Sequence, residues 1–129
     1  MAKGYQANKA REEAIAIFGK SIGKRAGFKC EWCGGKIELR VWDYKPEIEP
    51  NMDTLALLCG RCRELAAGKQ ADGNELRSLR NALWNNIPSV AEGVARVLAR
   101  CKESWAREAI EESYIDDGVK EELIGHTVH

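Results

Sequence analysis

Cys30-Glu31-Trp32-Cys33-Gly34-Gly35 and Cys59-Gly60-Arg61-Cys62, with 25 residues between Cys33 and Cys59, decide the reading of this 129-residue chain. Each C-x-x-C is a tight turn that aims two sulfurs at one point. Two such turns supply four thiolates, the donor set of a tetrahedral zinc site with Zn–S bonds of about 2.3 Å. Gly34 and Gly35 give the permissive backbone that lets the chain turn away after the first pair. A four-thiolate zinc centre carries a net charge of −2, and Lys29, Lys36, Arg61 and Arg63 are near enough in sequence to offset it. A closed four-cysteine set leaves no coordination position for water or substrate, so Cys30, Cys33, Cys59 and Cys62 are expected to hold a structural Zn²⁺. Structural disulfides suit exported proteins. A redox C-x-x-C needs a thioredoxin-like strand and helix pattern, which two pairs bracketing a hairpin do not offer. The fifth cysteine, Cys101, falls on an apolar helical stripe and reads as a small buried residue.

Outward from the first pair, Ile37-Glu-Leu-Arg-Val-Trp42 alternates as a strand does, and Thr54-Leu-Ala-Leu-Leu58 is an apolar run of strand length. Pro46 and Pro50-Asn51 make the connection between them irregular. A short helix through Arg63–Ala67 follows, and Gly68 ends it. Residues 28–68 thus form a small metal module, too short to build a core alone. Before it, in residues 1–27, Ala10, Ala14, Ile17, Phe18 and Ile22 recur at helical steps over 8–24, and that helix stops near Gly23 and Gly27. After it, residues 72–129 read as helical. Asp72 caps a helix over Glu75–Trp84. Ser89, with Glu92 three residues on, reads as a capping box opening a longer helix whose stripe runs through Val90, Val94, Val97, Leu98, Cys101 and Trp105. The stripe continues through Ala109, Ile110, Tyr114 and Ile115 until Asp116-Asp117-Gly118 breaks it. The predicted fold class is mainly helical α+β: a treble-clef or zinc-ribbon hairpin module packed on an N-terminal helix and a C-terminal helical bundle, in one compact domain.

Composition narrows the function. The chain has 20 Lys plus Arg against 20 Asp plus Glu, with 44% apolar and 31% charged residues, which describes one globular domain. Its longest apolar runs, Ile15–Phe18 and Leu55–Leu58, are far too short to span a bilayer. The polar Met1–Lys9 stretch lacks the pattern of a signal peptide, so a cytoplasmic location is expected. Zero net charge conceals an asymmetry, because residues 1–40 hold 9 basic and 4 acidic side chains while 81–129 hold 5 and 9.

The motifs Phe28-Lys-Cys-Glu-Trp-Cys-Gly-Gly35, Leu39-Arg-Val-Trp-Asp-Tyr44 and Leu55-Ala-Leu-Leu-Cys-Gly-Arg-Cys62 resemble the zinc-supported frame of HNH endonucleases, a treble clef of knuckle, hairpin and helix. In that family a His at the end of the first strand activates water. Trp42-Asp43-Tyr44 stands there instead, Arg63 stands where a His often follows the last Cys, and no His occurs between residues 1 and 125. The chain more closely resembles the PhnA-like family, named after an alkylphosphonate-utilisation operon. Over about residues 26–117 the likeness rests on the two cysteine pairs, Leu83-Trp84-Asn-Asn-Ile-Pro88-Ser-Val90, Trp105-Ala106 and Tyr114-Ile-Asp-Asp117. This resemblance implies a zinc-ribbon-like unit docked to helices. The family's C-terminal small β-barrel has no counterpart before His129, and no residue here is suited to breaking a carbon–phosphorus bond.

The leading functional expectation is a zinc-stabilised, non-enzymatic interaction module whose macromolecular partner is a nucleic acid or a protein, with no nucleotide cofactor and no membrane. The basic head offers Lys20, Lys24, Arg25, Lys29, Lys36 and Arg40 to a phosphate backbone, with Trp32 available to stack on a base. The rival is an enzyme: a degenerate metal-dependent nuclease using Asp43 with Glu47, or a hydrolase of phosphorus compounds. Gly19-Lys20-Ser21 imitates the end of a phosphate-binding loop but sits in a helical stretch. Glu103, Glu108, Glu111, Glu112, Asp116 and Asp117 form an acidic, solubilising face. Trp84 and Trp105 are expected to pack the helices onto the metal module, and His126 and His129 to lie in a frayed tail.

Overall fold

The computed structural model describes residues 2–125, with side chains from Lys9 onward; His126 and His129 lie outside the described residues. Helix α1 spans Ala2–Ala26, longer at both ends than its apolar pattern predicts. It terminates through two left-handed residues, Gly27 and Phe28, while the Phe28 amide donates back to the Gly23 carbonyl at 2.9 Å. Gly23 lies under the exposed Phe28 ring, where a Cβ would stand 2.7 Å from the ring edge and displace it.

Strands β1 (Arg40–Asp43) and β2 (Leu55–Leu58) pair antiparallel, with Arg40 opposite Leu58 and Asp43 opposite Leu55. The first strand begins at Arg40 and not at Ile37, because Glu38 has φ of +53° and interrupts the extended backbone. Every residue of β2 is buried, since the hairpin lies between two helical layers. Leu55 and Leu57 face α1 and pack with Ile15, Phe18, Ile22 and Ala26. Ala56 and Leu58 point the other way into the main core. Ile17, on the predicted stripe, is instead 77% exposed, and Ile15 takes its place.

Helix α2 (Gly60–Ala66) follows the hairpin, and Gly68, at φ of +107°, ends the turn beyond it. The predicted helix over Glu75–Trp84 is two pieces, α3 (Gly73–Arg77) and a 3₁₀ helix (Arg80–Trp84); Asp72 caps the first by accepting from the Glu75 amide at 2.8 Å. Helix α4 (Pro88–Leu98) forms the centre of the molecule, with Val90, Val94, Ala95 and Leu98 fully enclosed. Its start corrects the capping-box reading. Ile87 occupies the cap position and Pro88 the first turn, while the buried Ser89 hydroxyl donates to the Leu55 carbonyl at 2.7 Å.

The long helix expected beyond Val97 is also two helices. α4 ends at Leu98 and α5 runs Ser104–Glu112, folding back so that Ala106, Ala109 and Ile110 are buried on the same core. Cys101 falls in that break and not on a buried stripe; it is half-buried, with its thiol 3.6 Å from a Glu103 carboxylate oxygen. Tyr114, also assigned to the stripe, is 86% exposed. Helix α6 (Asp117–Ile124) is capped by Asp116, which accepts from the Gly118 amide at 2.9 Å. The fold is mainly helical α+β.

Candidate metal centre

The first cysteine pair sits in a knuckle closed by its own backbone. Cys30 N–H donates to the Gly35 carbonyl at 2.7 Å and Gly34 N–H to the Cys30 carbonyl at 2.9 Å, with Gly34 at φ of +81°, where a side chain is disfavoured. Glu31 stitches this knuckle to β2: its amide donates to the Leu57 carbonyl at 2.8 Å, and its carboxylate accepts from the Leu57 amide at 2.9 Å. The second pair comes from the opening turn of α2. Cys59 is the cap residue, its sulfur accepting from the Cys62 amide at 3.4 Å.

These two devices bring the four Sγ atoms within 4.8 Å of one another, with Cys33 and Cys59 sulfurs 3.6 Å apart. Bonds of about 2.3 Å to a tetrahedral ion place sulfurs about 3.8 Å from each other, so the cluster fits a single metal ion. Cys30, Cys59 and Cys62 are buried and Cys33 is exposed at the rim. Gly35 N–H donates to the Cys33 sulfur at 3.3 Å, a second amide–sulfur bond that suits a thiolate. As bare thiols Cys30, Cys33 and Cys62 are pushed in opposite directions. The hydrogen bond from Cys62 draws Cys30 well below the usual thiol range, aided by nearby backbone amides. The same bond, then burial and the neighbouring sulfur charges, pushes Cys62 far up. Burial is the main cause that raises Cys33. A bound cation removes this conflict, because a metal-ligated thiol is deprotonated. The four cysteines of the two C-x-x-C pairs are thus brought together into one cluster that could hold a metal ion.

The basic residues divide. Lys20, Lys24, Lys29, Lys36 and Arg40 are exposed. Arg25 is a structural clamp: its guanidinium pairs with Glu31 at 2.8 Å and donates to the carbonyls of Met52 at 2.6 Å and Leu55 at 2.7 Å. Trp32 is 5% exposed and its indole N–H donates to the Val90 carbonyl at 3.1 Å, so its ring packs the knuckle on α4 and offers no face to a base. Trp32 is thus corrected from a contact candidate to part of the core, and Arg25 to a half-buried structural tie. Arg61, expected near the thiolates, is turned to Glu75 at 2.7 Å. Arg63 donates to the Glu38 carbonyl at 2.6 Å.

Asp43, proposed for the enzymatic rival, is tied to α1. Arg11 bridges it at 2.6 Å and donates also to the carbonyls of Lys45 and Ile48. Its partner Glu47 is exposed. The tryptophans that dock the module are Trp32 and Trp42, in edge contact with centroids 5.2 Å apart. Both press on Gly93 of α4, where a Cβ would stand 2.9 Å from Trp42 and 3.0 Å from Trp32. Trp84 and Trp105 lie at the periphery of the same core, each under an arginine, Arg80 and Arg77 respectively.

A feature the sequence did not disclose is a groove of about 490 Å³ between β1 and α4, lined by Trp42, Tyr44, Lys45, Glu47, Arg96 and Arg100 among others. Its only local signal was the Trp42-Asp43-Tyr44 triplet. No helix is long and apolar enough to cross a membrane among the described residues. No family model, curated protein or solved structure matches the chain.

Proposed function

We propose that this chain is a zinc-stabilised interaction module of the PhnA-like type, non-enzymatic and cytoplasmic, which presents a rigid surface to a macromolecular partner. The observation that carries the reading is the convergence of Cys30 and Cys33 from the knuckle with Cys59 and Cys62 from the first turn of α2. An all-sulfur set of four selects zinc among common divalent ions and leaves it no open position, so its role when bound is to stabilise the fold. Knuckle, hairpin and helix in this order support a treble clef in preference to a ribbon. Helices α4 and α5 cover the module's inner face, which agrees with the docked helices that the family resemblance implies. Five unpaired cysteines suit a reducing compartment.

The test is metal content with stability. Native mass spectrometry of the purified protein is expected to find one zinc per chain. Cys62→Ser is expected to lose it and to melt well below the parent, since structural zinc binding is coupled to folding. A Cys62→Ser variant that melts with the parent would remove the scaffold role.

A further inference from the structure

We propose that the groove between β1 and α4 is a binding site for single-stranded nucleic acid, taking a base against the Trp42 and Tyr44 wall and the adjoining phosphates on Lys45, Arg96 and Arg100. This rests on the interaction-module reading and supplies the partner that it leaves open.

The walls come from two elements. Trp42 and Tyr44 project from one face of β1 and its extension, with centroids 5.7 Å apart. Opposite stand Arg96 on α4 and Arg100 in the turn just beyond its C-terminus, and Gly93 of α4 keeps the floor low enough for the Trp42 ring. Lys45 closes the remaining side with its ammonium 5.8 Å from the Tyr44 centroid. The volume, about 490 Å³, lies within the range of about 300–1,000 Å³ common to ligand sites.

The charges favour an anion. Among the described residues neither Lys45 nor Arg100 has a carboxylate partner; Arg100 donates to the Leu65 carbonyl. Arg96 donates from Nε to the Tyr44 hydroxyl at 2.9 Å and from its outer end to Glu122 of α6 at 2.5 and 3.3 Å. An exposed carboxylate thus already occupies the fork of Arg96, in the manner of a phosphate. The other acidic neighbours are Glu47, on the groove wall, and Glu92, which accepts from the Tyr44 hydroxyl at 3.2 Å. An acidic peptide would satisfy the cations but leave the aromatic wall unused. Aromatic rings beside backbone-neutralising cations are what an unpaired strand exploits, and duplex bases are stacked away from such a groove.

The experiment is fluorescence anisotropy of a labelled oligothymidylate of about a dozen nucleotides with the full, zinc-loaded chain, in buffers from about 50 to 200 mM salt. Three variants accompany it: Lys45→Glu, Arg100→Ala and Glu122→Gln. Their zinc content and melting are checked first, so that loss of the scaffold is distinguished from loss of the groove. The expected result is binding that weakens steeply with salt, drops about tenfold or more in Lys45→Glu and Arg100→Ala, and tightens several-fold in Glu122→Gln, where no carboxylate competes for Arg96. Thymidine monophosphate is expected to compete far less than the oligomer, and the matched duplex or polyglutamate to bind less well. The proposal is overturned if folded, zinc-loaded protein fails to bind the oligomer at the lowest salt. It is equally overturned if Lys45→Glu and Glu122→Gln leave the affinity unchanged, or if polyglutamate, duplex or the mononucleotide binds as well as the strand.

Discussion

Glu31 is 4% exposed at its side chain, yet sits between two cysteines of the cluster in sequence, and Arg25 is what makes this tolerable. The guanidinium pairs with both carboxylate oxygens, at 2.8 and 3.0 Å, and bonds two carbonyls of the hairpin region. Replacing Arg25 by Met strands a buried carboxylate, and chemical denaturation is expected to read a loss of about 3 kcal/mol, the lower end of the range for a broken buried pair, because Glu31 keeps the Leu57 amide. Arg25→Met with Glu31→Gln is expected to recover part of that loss. Gly93→Ala adds one methyl into contact with two indole edges, for an expected cost of about 1–3 kcal/mol by overpacking in the same assay. Glu122 gives a pH test. Arg96 holds its carboxyl below the ordinary range, so the unfolded chain binds the proton more readily than the folded one. The pair therefore contributes above the unfolded value of about 4.3 and is lost as pH falls through the lowered one. The melting difference between the parent and Glu122→Gln is expected to be present at neutral pH and to vanish in acid.

Among the elements, α4 organises the rest, and the hydrogen bond from Ser89 to Leu55 fixes its depth against β2. Ser89→Ala is expected to cost about 1–3 kcal/mol in thermal or chemical unfolding, since the Leu55 carbonyl keeps only its Arg25 bond. How much of this was legible follows from what each signal encodes. The hairpin and the clustering of the four cysteines were, because strand alternation and C-x-x-C spacing are local signals. The break between α4 and α5 was not: Val97, Leu98, Cys101 and Trp105 continue a helical period without interruption, and only the burial gained by folding Ile110 back onto α4 separates the helices. Ser89-Val-Ala-Glu92 reads equally well as a capping box or as an ordinary first turn, and Pro88 decides for the second. Trp32 beside two cysteines has the composition of a base-stacking residue; that its ring is enclosed by α4 is a tertiary fact, carried by residues 58 positions away.

At the scale of the molecule, the hairpin is the shared layer: α1 covers one face, α4 the other, and the cysteine cluster closes the end where knuckle and α2 meet. Cys30, Cys59 and Cys62 belong to the main apolar core itself, so disturbing the knuckle disturbs the seating of Trp32 on α4 and, through Glu31 and Arg25, that of α1. Chelation is therefore expected to loosen the molecule as a whole rather than fray one edge of it, with tryptophan emission shifting to the red as the buried Trp32 meets water. The most direct measurement is the thermal melt of the purified chain before and after exhaustive treatment with a strong zinc chelator, with bound zinc counted in parallel by elemental analysis. The account predicts one zinc per chain at the start and a large fall in Tm once it is removed, restored by adding one equivalent back. A chain that carries no metal when purified, or that melts at the same temperature with and without it, contradicts the account.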